Sequence, residues 1–307
     1  MGNRTGARQK VLKLEEKNDM KTTAVGYILL VALLVACKPL QIKEFELETI
    51  PGLKGKVEKM VVTKIGYDSD SLNTDNAEFF RSVNTIFLNN ENKIRRQEDL
   101  FVYPNNRKTP IVTEFHYEDK LLTSIESDVY GRKDRTEYFY DNKRKLFKIN
   151  EFESGNLVFV LSFKYDTKNN NVEVKRHRIS SGMVSFEELN YDRKGRLVTA
   201  RSISPDHPSD SGEYYQGDYV KNHYDKRGYL TKTEIINPDN IVTHTTFLEY
   251  NSRGDVVKRF IIGRNGQEIG QIKAFGYEYD FQGNIVFKKI IENGKLVGKT
   301  IFELNYR

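Results

Sequence analysis

The feature that most restricts this chain is a seven-residue pattern that returns along its C-terminal two-thirds. Tyr191-Asp192-Arg193-Lys194-Gly195-Arg196-Leu197 states it in full. It recurs as Tyr224-Asp225-Lys226-Arg227-Gly228-Tyr229-Leu230 and as Tyr279-Asp280-Phe281-Gln282-Gly283-Asn284-Ile285. Looser copies begin at Tyr250-Asn251, Tyr140-Asp141, Tyr165-Asp166 and Tyr117-Glu118, and a last tyrosine stands in Asn305-Tyr306-Arg307. Successive tyrosines from Tyr117 to Tyr306 lie 23, 25, 26, 33, 26, 29 and 27 residues apart. A period of that length marks a repeat protein, in which each unit buries its face against the next.

The pattern has a local physical reading. An aspartate at the first position of a type I turn accepts backbone N–H groups ahead of it, and a glycine at the fourth takes the left-handed conformation. Tyr-Asp-x-x-Gly-x-Leu therefore predicts strand end, tight turn, strand start. A second turn signal sits midway through most units: Ser154-Gly155-Asn156, Ser181-Gly182, Asn237-Pro238-Asp239-Asn240, Asn265-Gly266 and Asn293-Gly294. Two turns per unit predict two strands per unit, hence an antiparallel meander. Two residues before the tyrosines stand Phe115, Tyr138, Phe163, Leu189, Asn222, Leu248, Tyr277 and Leu304, all but Asn222 apolar. The residues immediately before them are polar except Phe139. This alternation puts each tyrosine and its −2 partner on one buried face, with the other face wet. The outgoing strands alternate less cleanly, which predicts that some are covered on both sides.

Residues 111–307 resemble the Rhs/YD-repeat family, whose long members wind such hairpins into spiralling shells around a cargo. Four units keep the Tyr-Asp/Asn-x-x-Gly core (at Tyr191, Tyr224, Tyr250 and Tyr279), and three lack the glycine. Residues 55–110 read as a degenerate start, with a first strand over 55–67 and an eroded unit at Phe87-Leu88-Asn89-Asn90. The expectation is an all-β antiparallel meander of about eight YD-type hairpin repeats. Eight units predict a twisted or partly rolled sheet without a cargo chamber. The resemblance implies no chemistry.

The N-terminus carries an address. Residues 24–36 (AVGYILLVALLVA) are an unbroken apolar run of 13, preceded by Lys21 and followed by Cys37. A spanning helix needs about 18–20 apolar residues, so this run suits a signal-peptide core. Leu34-Val35-Ala36-Cys37 resembles the bacterial lipobox, and its cysteine is the chain's sole one. The resemblance implies cleavage before Cys37 and acylation of its thiol. Two or three acyl chains give stable anchoring, which one does not. Met20-Lys21 reads as the natural start. The expected organisation is an upstream extension (1–19), a lipoprotein signal peptide (20–36), a tether (37–52) and a repeat domain (53–307). Lys38 rather than aspartate follows the cysteine, which by the enteric sorting rule points to the outer membrane. The segment 38–44 is only weakly acidic, so either face of that membrane stays open.

Charge weakens a nucleic-acid role. The chain has 307 residues, with 49 Lys+Arg against 43 Asp+Glu. Residues 1–36 hold six basic and three acidic groups, so the rest carries 43 against 40, or +3. One cysteine excludes an internal disulfide framework and a Cys-based zinc cluster. The five histidines show no metal spacing, and His116 and His223 fall on the wet face. No Gly-x-Ser-x-Gly elbow or phosphate-binding loop is present. Glu187 and Glu188 point to opposite sides of a strand and cannot act as paired glycosidase carboxylates. No catalytic residue, metal site or cofactor is assigned.

One unit is longer than the others, between Leu197 and Tyr224. Its segment 204–215 reads as a long loop, where binding residues concentrate on rigid scaffolds. Asp206, Asp210 and Glu213 offer oxygen ligands of the kind Ca²⁺ takes, and Tyr214 and Tyr215 offer rings to stack on a sugar. A solvated loop is the plainer reading. Basic groups at Arg132-Lys133, Arg135, Lys143-Arg144-Lys145 and Lys175–Arg178 suit an anionic glycan or lipid headgroups, or simply keep the sheet soluble. The functional expectation is a non-enzymatic envelope protein, held to the membrane through acylated Cys37. Its partner would be a surface glycan or an envelope protein. The alternative is an immunity lipoprotein that neutralises a periplasm-acting toxin, and a carbohydrate-active enzyme comes third.

Overall fold

The structure, a computed structural model, describes residues 53–67, 78–103, 106–107, 111–208 and 214–307. Every element is a strand: β1 (Val57–Tyr67), β2 (Glu78–Leu88), β3 (Ile94–Tyr103), β4 (Asn106–Arg107), β5 (Ile111–Glu118), β6 (Leu121–Val129), β7 (Arg132–Tyr140), β8 (Leu146–Glu153), β9 (Asn156–Asp166), β10 (Asn171–Arg178), β11 (Val184–Tyr191), β12 (Leu197–Pro208), β13 (Tyr214–Tyr224), β14 (Leu230–Ile236), β15 (Val242–Tyr250), β16 (Val256–Gly263), β17 (Lys273–Tyr279), β18 (Ile285–Glu292) and β19 (Lys295–Tyr306). Each pairs antiparallel with its predecessor in the chain, except that β3 pairs with β5 as well as with the two-residue β4. β19 then returns to pair with β1, from Val57↔Tyr306 to Gly66↔Gly298. Without β4, the 19 strands leave a closed ring of 18.

Closure corrects the expectation of an open, twisted or partly rolled meander. The hairpins are the expected ones, but the first strand caps the edge that the last would otherwise expose. Extensive packing between strands is confined to hydrogen-bonded neighbours, so the wall is a single layer. Eighteen strands about 4.8 Å apart and tilted by about 40° give a perimeter of about 110 Å. A ring of that size is too wide for inward side chains to fill, and the barrel encloses a lumen. The expectation of no enclosed chamber fails for the same reason.

The turns follow the predicted chemistry closely. The Asp192 carboxylate accepts the backbone N–H groups of Lys194 (2.8 Å) and Arg196 (3.0 Å), while Gly195 N–H donates to the Asp192 carbonyl. Gly195 stands at φ 73°, where a side chain would be strained. Asp141, Asn251 and Asp280 repeat this geometry with their own +2 and +4 amides. The eroded unit does so as well: Asn89 accepts from Glu91 and Lys93, and Leu88 takes the tyrosine's place. Units without the glycine place Asn92 or Arg144 in the left-handed region instead.

The uneven alternation of the outgoing strands has a different cause from the one expected. At seven of these turns the register slips by one residue just before the tyrosine position. Asn190 pairs Thr199 whereas Tyr191 pairs Leu197, leaving Val198 as a bulge. Arg95, Thr123, Phe147, Thr231, Val257 and Val286 are the matching extra residues. The hairpin of β9 and β10 alone keeps register, with Tyr165 opposite Val172. A bulge strengthens local twist and bends its strand, which is how a flat meander is made to curve.

Each tyrosine and its −2 partner share one face, as expected. Leu189 and Tyr191 are buried there, and Leu197, between Tyr191 and Tyr224, is 0 % exposed. Three apolar clusters on this face run together through Phe115, Leu161 and Phe163. Most of the buried side chains lie on this face, as expected where side chains converge on the concave side of a closed sheet, and this assigns it to the inside. Burial accordingly dominates carboxylates such as Glu187 on that face, whereas partners outweigh it at Glu234 on the other. Replacing Tyr191 by Ala is expected to cost about 3–5 kcal/mol, as for a buried aromatic. Urea unfolding measures it, and a cost under about 1 kcal/mol would reverse the assignment of the faces.

Candidate functional site

The lumen is built by strands from β1 to β19, and its lining changes along the barrel axis. At the end that carries the Tyr-Asp turns, tyrosines alternate around the ring with Leu, Ile or Val from the neighbouring strand. Five of the eight repeat tyrosines, and Tyr277 two residues before another, lean over the preceding hairpin and donate the hydroxyl to a carbonyl at the start of that hairpin's return strand. The bonds are Tyr117 to Ile94 (2.6 Å), Tyr140 to Leu122 (3.0 Å) and Tyr165 to Leu146 (2.6 Å). They continue as Tyr224 to Leu197 (2.8 Å), Tyr250 to Leu230 (2.6 Å) and Tyr277 to Val256 (2.7 Å). Tyr279 and Tyr306 donate instead to the carboxylates of Asp255 and Asp280. Burial raises the hydroxyl pKa of Tyr165, Tyr250, Tyr279 and Tyr306, and that of Tyr277 to about 12, so these groups remain donors at neutral pH.

Further along the axis the inner face turns polar. Glu151 on β8 lies 3.5 Å from Arg176 on β10, and Glu187 on β11 follows across the same face. Burial pushes both carboxyls up, and the Arg176 charge only partly offsets it. Arg176 also stacks its guanidinium 4.0 Å over Phe159. Across the barrel, burial lowers the Lys288 ammonium, helped by the like charge of Lys64. The lining thus offers an aromatic zone at one end and scattered charges of both signs beyond it.

The outer face is of another kind. Register places an ionisable residue on it in every ring strand: Lys59, Arg81, Arg96, Glu114, Glu126, Arg135, Lys148, Lys164, Glu173, Glu188, Arg201, Lys221, Lys232, Glu249, Lys258, Glu278, Lys289 and Lys299, from β1 round to β19. Several pair with charges on the same face, as Lys232 does with Glu234 (2.6 Å) and Arg135 with Glu137 (2.9 Å). A groove of ≈ 900 Å³ lies on this face over β5–β8, between Glu114, Glu126, Lys133, Arg135 and Phe152.

The sequence-derived candidates are dispersed. Asp192 keeps a lowered pKa because, although burial acts upward, the Arg196 side chain and the turn amides outweigh it. It serves the turn, as Asp225 and Asp280 do. Segment 204–215 is not the expected long loop: β12 runs on to Pro208 and β13 begins at Tyr214, with Ser204 opposite Tyr215. The side chains of Asp206, Tyr214 and Tyr215, and residues Asp210 and Glu213, lie outside the described residues, as does Cys37. Glu187 and Glu188 do face opposite ways. His223 is on the outer face, 2.6 Å from Glu234. The basic groups separate: Lys143–Lys145 sit at the tyrosine-side rim, Arg132-Lys133 at the other, and Arg176 points inward. Sequence reasoning missed the Glu151–Arg176–Glu187 row, since a charge on an inner strand position is visible only once the wall curves. Among the described residues, no group of three His, Cys, Asp or Glu is placed to hold a metal ion.

No protein-family model and no curated protein matches this sequence. Among solved structures, it is similar to a porin-like protein from Bacteroides uniformis over 81 % of this chain and 96 % of that one, at 9 % identity and a TM-score of 0.43. A porin-like protein from Bacteroides vulgatus aligns over 83 % and 99 %, at 10 % identity and TM-score 0.31. The Photorhabdus luminescens Tc holotoxin pore aligns over 79 % of this chain but 16 % of its own, at 10 % identity and TM-score 0.30. Likeness at this level identifies no function. The closed all-β barrel itself is a form compatible with the outer membrane.

Burial of Glu187 generates a pH-dependent prediction. Its folded pKa lies above the ordinary 4.5, so its charge costs the folded state stability at neutral pH and costs nothing once both states are protonated. Glu187→Gln should therefore stabilise the barrel at pH 7, with the gain vanishing as pH falls below about 4.5. Urea midpoints at the two pH values check this.

Proposed function

We propose that this is a lipid-anchored protein of the cell envelope, attached to the outer membrane through acylated Cys37, with a non-enzymatic binding or scaffolding role. The observation that carries the reading is the belt of charges on the outer face. A membrane-spanning barrel needs an outward apolar band about 25 Å tall, and each Arg or Lys at the bilayer midplane costs about 2–4 kcal/mol. With an ionisable residue on every strand, this wall suits water. A water-borne barrel at a membrane then requires a separate attachment, which the Leu34-Val35-Ala36-Cys37 sequence would supply. The lumen, aromatic at one end and charged beyond, supports binding of a surface glycan or an extended segment of an envelope protein. The repeated turns also favour kinship with YD-repeat proteins.

Cys37→Ala is expected to abolish lipid labelling and to move the protein from the carbonate-washed membrane fraction to the soluble one. Retention in the membrane, with the lipid label absent, would mean that the barrel itself is embedded.

A further inference from the structure

We propose that the rim formed by the tyrosine-side turns is a docking surface for an anionic phospholipid bilayer, so that the barrel stands on the membrane with its other mouth directed away. The proposal rests on the lipid-anchor reading only for what brings the barrel there. Antiparallel connectivity puts all the Tyr-Asp turns, the start of β1 and the end of β19 at one end. The tips of these turns project exposed cations, among them Lys143, Arg144, Arg193, Lys194, Lys226 and Arg227. The accompanying aspartates lie one or two residues back and are engaged inside the turns, where their carboxylates accept backbone amides. Glu91, Glu118 and Asp119 are exposed on the same rim, and Arg227 pairs with Asp225, but basic tips outnumber the acidic ones.

A second observation is independent of charge. Phe281 occupies the tip of the last turn and is 90 % exposed, the most exposed of the large apolar residues described. Among basic tips, a bare aromatic ring has the chemistry of a headgroup-level anchor. The third observation is where the chain arrives. Leu53 packs into the apolar cluster that includes Tyr306, and the Lys54 backbone is held on both sides by the Asn284 side chain (2.6 and 2.9 Å), three residues from Phe281. From Leu53 back to Cys37 is 16 residues, a reach of at most about 55 Å. An anchor of that length feeds directly into this rim. The opposite rim also carries exposed cations (Arg132, Lys133, Arg264 and Lys295) and half-exposed apolar groups such as Tyr130 and Ile269, so what sets the tyrosine-side rim apart is the fully bare Phe281 ring and the arrival of the chain at Leu53.

The test uses the full acylated protein with an environment-sensitive fluorophore on Phe281→Cys, or on Asn156→Cys at the opposite rim. Vesicles are phosphatidylcholine, with or without phosphatidylglycerol. The expected result is a blue shift and several-fold stronger headgroup-level quenching at position 281 with phosphatidylglycerol, and none at 156. High salt or the pair Arg193→Glu and Lys194→Glu should abolish it. Co-sedimentation with both vesicle types while the 281 probe stays in water overturns the rim proposal and leaves the anchor standing. Co-sedimentation with the anionic vesicles alone sinks the anchor and upholds the rim. Failure to sediment with either overturns both.

Discussion

The rest of the structure depends on the hydrogen bond from a tyrosine hydroxyl to a carbonyl of the preceding hairpin. It is the contact that makes one repeat need the next. Within a hairpin, the Asp turn and the ladder are self-sufficient, and an isolated hairpin is at best marginal in water. Leaning the ring across the seam buries Leu197 or its counterpart under two tyrosines and satisfies the phenol in an apolar place, where an unmade hydrogen bond would be costly. Because these bonds reach backward along the chain wherever they form, the repeats join in sequence order. The inner apolar ring is a by-product of that regularity.

The bulges turn this chain of hairpins into a wall that curves. An extra residue in the outgoing strand at almost every turn bends each unit in the same sense. Curvature accumulates until β19 meets β1, and the seam is fastened by side chains as well as by the ladder. Asn284 grips the backbone of Lys54, Asn92 donates to the Gly55 carbonyl, and Arg307 reaches the carbonyl of Leu88 (2.8 Å). Arg307 N–H also donates to the Lys56 carbonyl (3.0 Å), which ties the two ends of the described chain together at the tyrosine-side rim.

Closure divides the surface into two environments from one alternating pattern. The tyrosine face becomes a lumen lining, where burial dominates the charges of Glu151, Glu187 and Lys288. The wet face becomes an outer wall on which ion pairs stay solvated and contribute little individually. Much of this was legible in residues: the strands, both sets of turns, the buried side and the opposed directions of Glu187 and Glu188 all follow from Tyr-Asp-x-x-Gly-x-Leu and period-two alternation. The eroded unit at Leu88-Asn89 was also readable, because asparagine accepts the same amides as aspartate. Residues 204–208 and 214–215 were misread as loop, since two prolines and a run of polar residues look like one even where β12 and β13 continue past a bulge.

By itself the sequence determined the unit: where each strand turns, which side chains face the same way, and that every hairpin seeks a neighbour. Those are short-range properties, set by turn geometry and alternation within about 26 residues. Only the tertiary structure decided that the sheet closes, that it closes with 18 strands, and that Glu151, Arg176 and Glu187 share a lumen. The physical reason is that closure depends on the sum of small bends over the whole chain and on a match between β1 and β19, nearly 250 residues apart. No single repeat encodes either quantity.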